Sequence, residues 1–249
     1  CPNHVLDFPD PNIVITKRLE MLPIEIIVRD YMTGSTETSI WPMYQRGERN
    51  LYGHSFPDNL VKNQKLKDTI ITPTTKALQG EHDAPITATE IIETNLLSKT
   101  IWDEVSEKAL ALFNIGKKRA SENGLILVDT KYEFGLNDQN QVTLADEIHT
   151  PDSSRYWIKS SYDSQMENKK EPISLDKEFL RLWITSQCDP YKEKIPPIPK
   201  ETILAFSKKY IDLFEQVTGT GFQMVEQQES IYKRIHKNLS SSLPDFFKS

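Results

Sequence analysis

The segment from residue 99 to residue 148 constrains the fold more than any other part of the chain. Apolar side chains recur at helical spacing over residues 99–123, and Gly124 is a typical residue to end a helix. LVDTKYEFGL at 127–136 then alternates like a strand, and NDQN at 137–140 predicts a turn into a second strand at 141–148. A long helix that leads directly into a β-hairpin predicts an α+β fold rather than a regular doubly wound sheet.

The rest of the chain predicts shorter elements separated by loops. TATE at 87–90 matches a capping box, in which the first and fourth side chains satisfy backbone N–H groups at the start of a helix. The other expected elements, in order, are a loop at 1–12, strands at Ile13–Thr16 and Ile24–Arg29, long loops with short elements at 36–86, and amphipathic helices at 174–187 and 200–219.

Composition excludes several classes of protein. The 249 residues are 37% hydrophobic, which is enough for a sizeable core. A net charge of −6 and a pI near 5.5 argue against nucleic acid as the main partner. The two cysteines are too few for a disulfide framework or a zinc site, and the sequence has no run of 18 apolar residues and no signal peptide. We therefore expect a cytoplasmic protein that does not contact a membrane.

Three charged residues, Asp129, Lys131 and Glu133, share one face of the predicted strand at 127–136. The turn at 137–140 allows Asp146 of the returning strand to lie close to Glu133. Two or three carboxylates beside a lysine suit a magnesium–nucleotide site, because carboxylate oxygens bind the metal and an ammonium neutralises a transferring phosphoryl group. The same pattern also fits a solvated strand face with cross-strand salt bridges.

Two further segments predict binding of an anion. Arg155 ends the turn PDSSR at 151–155, beside the carboxylate cluster, where its guanidinium could bind a phosphate or carboxylate through two hydrogen bonds. Arg29 ends a strand, and a Thr-Gly-Ser turn that reaches Ser35 follows it. An ordinary surface turn is the alternative for each segment.

A polar loop at 72–83, TPTTKALQGEHD, concentrates further titratable side chains. It includes Lys76, Glu81, His82 and Asp83, but it has no repeat of the kind that binds a metal. A single histidine in such a loop is most often only solvated. The loop is therefore a weak candidate on its own.

Five separated motifs together resemble the SAICAR synthetase family. They are, in chain order, LPIEIIVRDYMTGS, TPTTKALQGEHD, ILVDTKYEFGL, DEIHTPDSSRYW and LDKEFLRLW, and they span about residues 13–221. The central loop resembles the longer, fungal-type branch of the family. The resemblance implies a two-lobed, ATP-binding α+β fold. It also implies the ATP- and magnesium-dependent joining of a carboxylated aminoimidazole ribonucleotide (CAIR) to L-aspartate through an acyl phosphate.

On the nucleotide side, the resemblance implies that Glu133 and Asp146 bind magnesium and the ATP phosphates. Lys131 would neutralise the reacting phosphoryl and carboxylate oxygens. The residues that would frame adenine are Lys17, Leu19 and Met21.

On the acceptor side, the resemblance implies that Arg29, Ser35 and Arg155 hold the ribonucleotide, mainly through its 5′-phosphate. The looser candidates for contact with CAIR or aspartate are Lys76, His82, Asp83, Asp152 and Arg181. Asp129 receives no role from the resemblance.

The resemblance also divides the chain into three parts. Residues 1–22 are expected to be the remnant of an ATP-binding lobe with its interlobe segment, 23–222 the catalytic domain, and 223–249 a C-terminal extension without an assigned role. The sequence begins after the glycine-containing segment that covers the ATP phosphates in the family, so we expect the chain alone to bind ATP poorly. A phosphotransferase on a kinase-like scaffold and a non-catalytic nucleotide-binding module remain alternatives.

Overall fold

The computed structural model describes residues 1–76, 83–190, 192–224 and 229–247. In chain order the elements are β1 (Val5–Asp10), β2 (Ile13–Thr16), β3 (Glu20–Met21), β4 (Ile24–Tyr31), α1 (Ile40–Gln45), β5 (Asn50–Leu51), β6 (His54–Ser55), β7 (Lys65–Ile71), β8 (Thr74–Thr75), α2 (Ala88–Glu93), α3 (Lys99–Glu122), β9 (Leu125–Leu136), β10 (Val142–Ala145), β11 (Ser154–Ile158), α4 (Lys159–Glu167), α5 (Glu178–Gln187), α6 (Lys200–Thr218) and α7 (Ile231–Ser242).

The long strand β9 lies at the centre of a seven-stranded sheet. The path through the sheet is β10-β9-β4-β7, while β11 and β3 also pair with β9, and β8 pairs with β4. All of these pairings are antiparallel. This sheet with its helices confirms the predicted α+β fold.

An irregularity in β9 changes which residues face the core. β11 pairs Tyr156 with Leu127 but Arg155 with Asp129, so Val128 is an extra residue in β9. Leu127, before Val128, and Tyr132, after it, both belong to the main core cluster, although strict alternation would put them on opposite faces. Val128 instead packs in a separate small cluster. Strict alternation along the predicted strand would place Val128 on the same face as Tyr132, but the extra residue leaves them on opposite faces.

The main core lies between the sheet and α3. The buried face of α3 includes Trp102, Val105, Ala109 and Phe113, which pack in one cluster with side chains from β4 and β9. Gly116 brings the helix close to the sheet, since a Cβ built there would lie 2.8 Å from Leu127 Cδ2. The predicted helix over 99–123 is confirmed.

Other helix predictions hold with shorter bounds. The capping box at the start of α2 is present, with Glu90 N donating to Thr87 Oγ1 at 3.1 Å and Thr87 N donating to Glu90 Oε2 at 2.8 Å. The helix predicted at 174–187 begins only at Glu178, because Asp176 Oδ1 accepts the Glu178 N–H at 2.8 Å. In the described part of the chain, the helices are too short or too polar to cross a bilayer.

Two strand predictions need correction. Residues 1–12 were expected to form a loop, but β1 and β2 form a separate two-stranded sheet. Pro9 is compatible with β1 because β1 lacks a second neighbour in that sheet. The strand predicted at 141–148 ends at Ala145, since Asp146 adopts φ 55° and starts a turn. Asp146 and Glu147 therefore do not alternate along a strand.

Candidate active site

The Lys131 ammonium lies at the centre of a group of carboxylates. Its Nζ atom is 2.5 Å from Glu133 Oε1, 3.3 Å from Glu25 Oε1 and 3.4 Å from Asp146 Oδ2. Glu133 also pairs with Lys76. The sheet produces this arrangement, because β4 pairs Ile27 with Lys131 on one edge of β9 and β10 pairs Ala145 with Glu133 on the other.

The charges of this group stabilise one another. Burial acts to lower the pKa of Lys131, but the hydrogen bond to Glu133 and the nearby carboxylate charges raise it overall. Burial acts to raise the pKa of Glu133, but hydrogen bonds from Lys131 and Lys76 lower it overall. Burial is the main cause of a raised pKa at Glu25. Lys131 and Glu133 are therefore charged at neutral pH.

A cavity of about 370 Å³ opens beside Glu133. We call it the hairpin cavity because His4, just before β1, and Thr16, at the end of β2, contribute to its wall. Its lining residues are His4, Thr16, Lys17, Leu19, Met21, Lys76, Glu133, Ala145 and Asp146. Its lining includes both apolar and charged side chains. Gly135 of β9 lets the segment that contains Leu19 lie close to the strand, since a Cβ on Gly135 would lie 2.8 Å from Leu19 Cβ.

A second cavity, of about 440 Å³, lies on the other side of Lys131, and we call it the arginine cavity. Arg29 from β4 and Arg155 from β11 both line it, because both strands pair with β9 at Asp129. Asp129 Oδ2 accepts from Arg29 Nη1 at 2.7 Å and from Arg155 Nη1 at 2.5 Å. Arg29 Nε also donates to Thr72 Oγ1 at 2.8 Å. One buried carboxylate thus holds two guanidinium groups together.

Burial affects both arginines of this cluster. It lowers the pKa of Arg29, although the charge of Asp129 opposes that change. At Arg155 the charges of Asp129, Asp176 and Glu178 overcome burial and raise the pKa. Asp129 supplies one negative charge against two positive ones, while Asp176 and Glu178 add negative charge beside Arg155. What suits an anionic ligand here is the pair of guanidinium groups, which offer several N–H donors in one place.

The start of α5 and the residues before it form the outer wall of the arginine cavity. Asp176 is buried and its Oδ2 accepts from the Tyr156 backbone N–H at 2.9 Å, which attaches this segment to β11. Glu178 Oε2 accepts from Arg181 Nη1 at 2.7 Å and lies 4.0 Å from Arg155 Nη2. These contacts bring Arg181 to the same cavity as the other two arginines.

The structure places most of the predicted site residues in one of the two cavities. The residues predicted for adenine and the ATP phosphates line the hairpin cavity, together with Lys76. Those predicted for the acceptor that line the arginine cavity are Arg29, Asp83, Asp152, Arg155 and Arg181. Ser35 is exposed and lines neither cavity, whereas Thr36 and Ser39 line the arginine cavity. His82 lies outside the described residues.

Sequence reasoning missed several residues of these cavities. Asp129 received no role, because its two arginine partners come from β4 and β11 and the local sequence does not show that both strands pair with β9 there. Glu25 and Arg29 are four residues apart on β4, so they lie on the same face of the strand. This spacing was the signal that could have identified Glu25. His4 had none, because residues 1–12 were expected to form a loop, and Thr16 was predicted only as the end of the strand Ile13–Thr16.

Chemically, Lys131 connects the two cavities. Lys131 lines the arginine cavity, and its ammonium contacts Glu133 and Asp146, which line the hairpin cavity. An anion held by the arginines and a second anion in the hairpin cavity would meet at this ammonium. Such a site can transfer a negatively charged group between two ligands.

Comparison with known proteins identifies the family. Residues 1–198 match the family model described as SAICAR synthetase. This chain belongs to the SAICAR synthetase family. A relative from Agrobacterium fabrum, provisionally named phosphoribosylaminoimidazole-succinocarboxamide synthase 2, is 50% identical over 244 residues, which are 98% of this chain and 77% of the relative.

Plant and yeast members of the SAICAR synthetase family are also similar. The chloroplastic phosphoribosylaminoimidazole-succinocarboxamide synthase of Arabidopsis thaliana is 47% identical over 243 residues, 97% of this chain and 59% of the relative. The solved structure of the Saccharomyces cerevisiae SAICAR synthase complexed with SAICAR has a TM-score of 0.71 at 28% identity. The match covers 90% of this chain and 76% of the yeast chain.

These relatives do not support the finer assignment within the SAICAR synthetase family. The bacterial and plant proteins match nearly all of this chain at 50% and 47% identity, while the yeast enzyme shares 28%. Neither the fungal-type branch nor a missing glycine-containing segment is therefore supported. Because one relative is chloroplastic, a cytoplasmic location stays a prediction.

Proposed function

We propose that this protein joins CAIR to L-aspartate with the use of ATP, giving SAICAR, ADP and phosphate, and that the two cavities bind the two phosphorylated substrates. Membership of the SAICAR synthetase family makes it an ATP-dependent ligase of purine biosynthesis. One structural observation supports the assignment of the cavities. The side chain of Lys131 lines the arginine cavity while its ammonium contacts carboxylates of the hairpin cavity.

The ribonucleotide fits the arginine cavity best. Arg29 and Arg155 lie opposite Asp129 in β9, and Lys131 is two residues further along the same strand. That spacing is roughly 7 Å between Cα atoms, and the long side chains extend the reach. A 5′-phosphate bound by the arginines therefore leaves the ring carboxylate of the same molecule near the Lys131 ammonium.

ATP fits the hairpin cavity. Leu19 and Met21 supply apolar contact for a base, and Lys17 and Lys76 supply positive charge for phosphates. The polar end of the cavity, at Glu133 and Asp146, is the end nearest to Lys131. A nucleotide with its base against the apolar side chains would direct its terminal phosphate toward that lysine.

Magnesium suits the carboxylates of the hairpin cavity. Glu133 and Asp146 both lie within 3.4 Å of one cationic nitrogen, so a single cation can contact both. Magnesium is commonly bound by one or two carboxylates, with substrate phosphates and waters at its other positions. When bound, it would neutralise the ATP phosphates.

The residues of the site have separate parts in the proposed reaction. The arginines hold the ribonucleotide in place, and the Lys131 ammonium binds the oxygens between which the terminal phosphoryl group of ATP moves. An oxygen of the ring carboxylate bonds to the terminal phosphorus of ATP while the bond from that phosphorus to ADP breaks, which gives an acyl phosphate and ADP. The neutral aspartate amine then forms the C–N bond at the acyl carbon, the acyl C–O bond breaks, and phosphate and one proton leave.

Substitution of Glu133 tests this proposal. In the full-length enzyme, Glu133→Gln should lower the CAIR- and aspartate-dependent rate of ADP release by about 100-fold or more, because a ligand to the metal and a partner of Lys131 is lost. Glu93→Gln on the exposed surface of α2 is the matched control and should keep the wild-type rate. A Glu133→Gln enzyme with near-normal turnover would contradict the proposal.

The choice of acceptor separates the alternatives. ADP release that needs both CAIR and aspartate supports the ligase. Release with a protein or sugar acceptor would support a kinase-like phosphotransferase instead. Nucleotide binding by the full-length protein without turnover would support a binding module. The boundaries near residues 22 and 222 are part of the same proposal and can be tested by limited proteolysis.

A further inference from the structure

The C-terminal helix α7 binds the tip of the hairpin formed by β1 and β2. Arg234 Nε donates to Asp10 Oδ2 at 2.8 Å, and Arg234 Nη2 donates to Asp10 Oδ1 at 3.1 Å. Asn238 Nδ2 from the next turn of α7 donates to the same carboxylate at 2.8 Å. Further along, Ser242 Oγ donates to Asp7 Oδ2 at 2.8 Å. The helix therefore follows β1 over much of its length.

The contact between Arg234 and Asp10 is well shielded from water. The side chain of Asp10 is 0% exposed and that of Arg234 is 15% exposed. The hydrogen bond from Arg234 lowers the pKa of Asp10 to about 2. A charged carboxylate that is removed from water needs such partners, and two nitrogen donors of one guanidinium fix its orientation as well. Loss of Arg234 would remove the main partner of the Asp10 carboxylate and part of the cover that keeps it from water.

In the part of the chain that the structure describes, few contacts besides this one support the tip of the hairpin. An isolated two-stranded hairpin is only marginally stable in water. Three apolar side chains of this hairpin, Leu6, Phe8 and Val14, are 56%, 71% and 47% exposed, so they add little burial. At its open end, backbone bonds join Pro2 and His4 to Leu144 of β10. The tip, where Asp10 pairs with Ile13, is held by α7.

The open end of the same hairpin forms part of the hairpin cavity. His4, Thr16 and Lys17 line that cavity, and Lys17 N donates to His4 O at 2.7 Å across the hairpin. Asp10 is six residues from His4, which is roughly 20 Å along an extended strand. Arg234 is thus too far away to contact a ligand in the cavity, and it can act only through the hairpin.

We propose that α7 clamps the β1–β2 hairpin in place and that Arg234 is a positioning residue for nucleotide binding. This inference rests on the proposed binding of ATP in the hairpin cavity. A hairpin that is free at its tip would move His4, Thr16 and Lys17 relative to Glu133. Pre-organisation of that wall is what α7 supplies. The helix lies beyond residues 1–198, the part matched by the family model.

Substitution of Arg234 in the full-length enzyme tests the proposal. Arg234→Ala should raise the KM for ATP by about tenfold, while kcat and the KM for CAIR stay within about twofold of wild type. Amide hydrogen exchange over residues 5–16 should become at least about tenfold faster, with β9 unchanged. Arg234→Lys should restore part of both effects, because lysine keeps the charge but not the two-point geometry. Lys233→Ala, at an exposed position of α7, is the matched control and should match wild type.

Each possible result tests a different part of the proposal. Unchanged exchange in the hairpin of Arg234→Ala would show that α7 is not a clamp. Faster exchange with an unchanged KM for ATP would show that the clamp does not affect the cavity. If exchange in β9 also accelerates, Asp10→Asn, which keeps the shape of the side chain, replaces Arg234→Ala and is judged on the same two measurements. If ATP gives the wild-type hairpin no protection from exchange, then the binding of ATP in this cavity is wrong, whatever Arg234 does.

Discussion

Asp129 accepts hydrogen bonds from two buried arginines, so its replacement should lower the stability of the fold as well as weaken ligand binding. Asp129→Ala would leave Arg29 and Arg155 close together without their shared counter-charge. Removal of one partner from a buried ion pair costs about 3–5 kcal/mol, and we expect a loss of that size in the free energy of unfolding. Urea denaturation measures it. Asp103→Ala, in an exposed pair with Lys99, should cost less than about 1 kcal/mol; equal losses would contradict the role of Asp129.

His149 makes stability depend on pH. Its Nε2 atom lies 2.6 Å from Tyr132 Oη, and burial lowers its pKa to about 4. An unfolded histidine titrates near 6.5, so the unfolded state binds the proton first as the pH falls. The contribution of neutral His149 is therefore complete above about pH 6.5 and decreases toward pH 4, by about 3 kcal/mol in total.

The pH effect can be isolated by a difference between variants. The free energy of unfolding of wild type minus that of His149→Gln should fall as the pH decreases from 7 to 4.5, because other titrations cancel in the difference. A flat difference for His149 would mean that the imidazole becomes charged in the folded protein without penalty.

At the scale of elements, the contact between α3 and β9 depends on a glycine. A Cβ at Gly116 would lie 2.4 Å from His149 Cε1 and 2.8 Å from Leu127 Cδ2. Gly116→Ala gains about 1 kcal/mol of helix propensity, but overpacking typically costs about 1–3 kcal/mol. We therefore expect a net loss of stability in thermal or urea unfolding. Asn114→Ala, on the exposed side of α3, should be neutral or stabilising.

The elements that the sequence predicted well are those with many repeats of one pattern. The helix α3 has 24 residues, and its apolar spacing and following glycine were sufficient to locate it. The strand β7, KLKDTII, carries three charges in its first four residues, so the region 36–86 did not show it as a strand. Pairing with β4 stabilises β7. Pairing of that kind is a tertiary effect that a local pattern does not contain.

The site shows the same division between local and tertiary information. The charged residues of β9 could be recognised from alternation, and the resemblance of five motifs to the SAICAR synthetase family supplied their partners. The role of Asp129 could not be predicted, because it depends on β4 and β11 meeting β9 at the same residue. The exposed position of Ser35, and the presence of Thr36 and Ser39 at the cavity instead, depend on the loop that follows β4.

At the scale of the whole molecule, the two cavities should bind their ligands with separate effects on stability. A ligand present at 100 times its Kd stabilises the folded state by about 2.7 kcal/mol. ATP and CAIR should each raise the melting temperature of the full-length enzyme. Arg155→Ala should remove most of the shift caused by CAIR and keep the shift caused by ATP, since Arg155 lines only the arginine cavity. Thermal shift measurements decide this, and loss of both shifts would contradict separate cavities.

A change in the length of β9 would act differently from a substitution, because of the extra residue Val128. Residues before it and residues after it contribute to the same core at positions of opposite parity. Deletion of Val128 itself would leave a strictly alternating strand in which Leu127 and Tyr132 still share one face. A one-residue insertion elsewhere in β9 would instead exchange the faces of the residues beyond it; an insertion between Thr130 and Lys131, for example, would turn Lys131 and Glu133 toward the core. Alignments of relatives should therefore place a one-residue gap in this strand at Val128 or not at all.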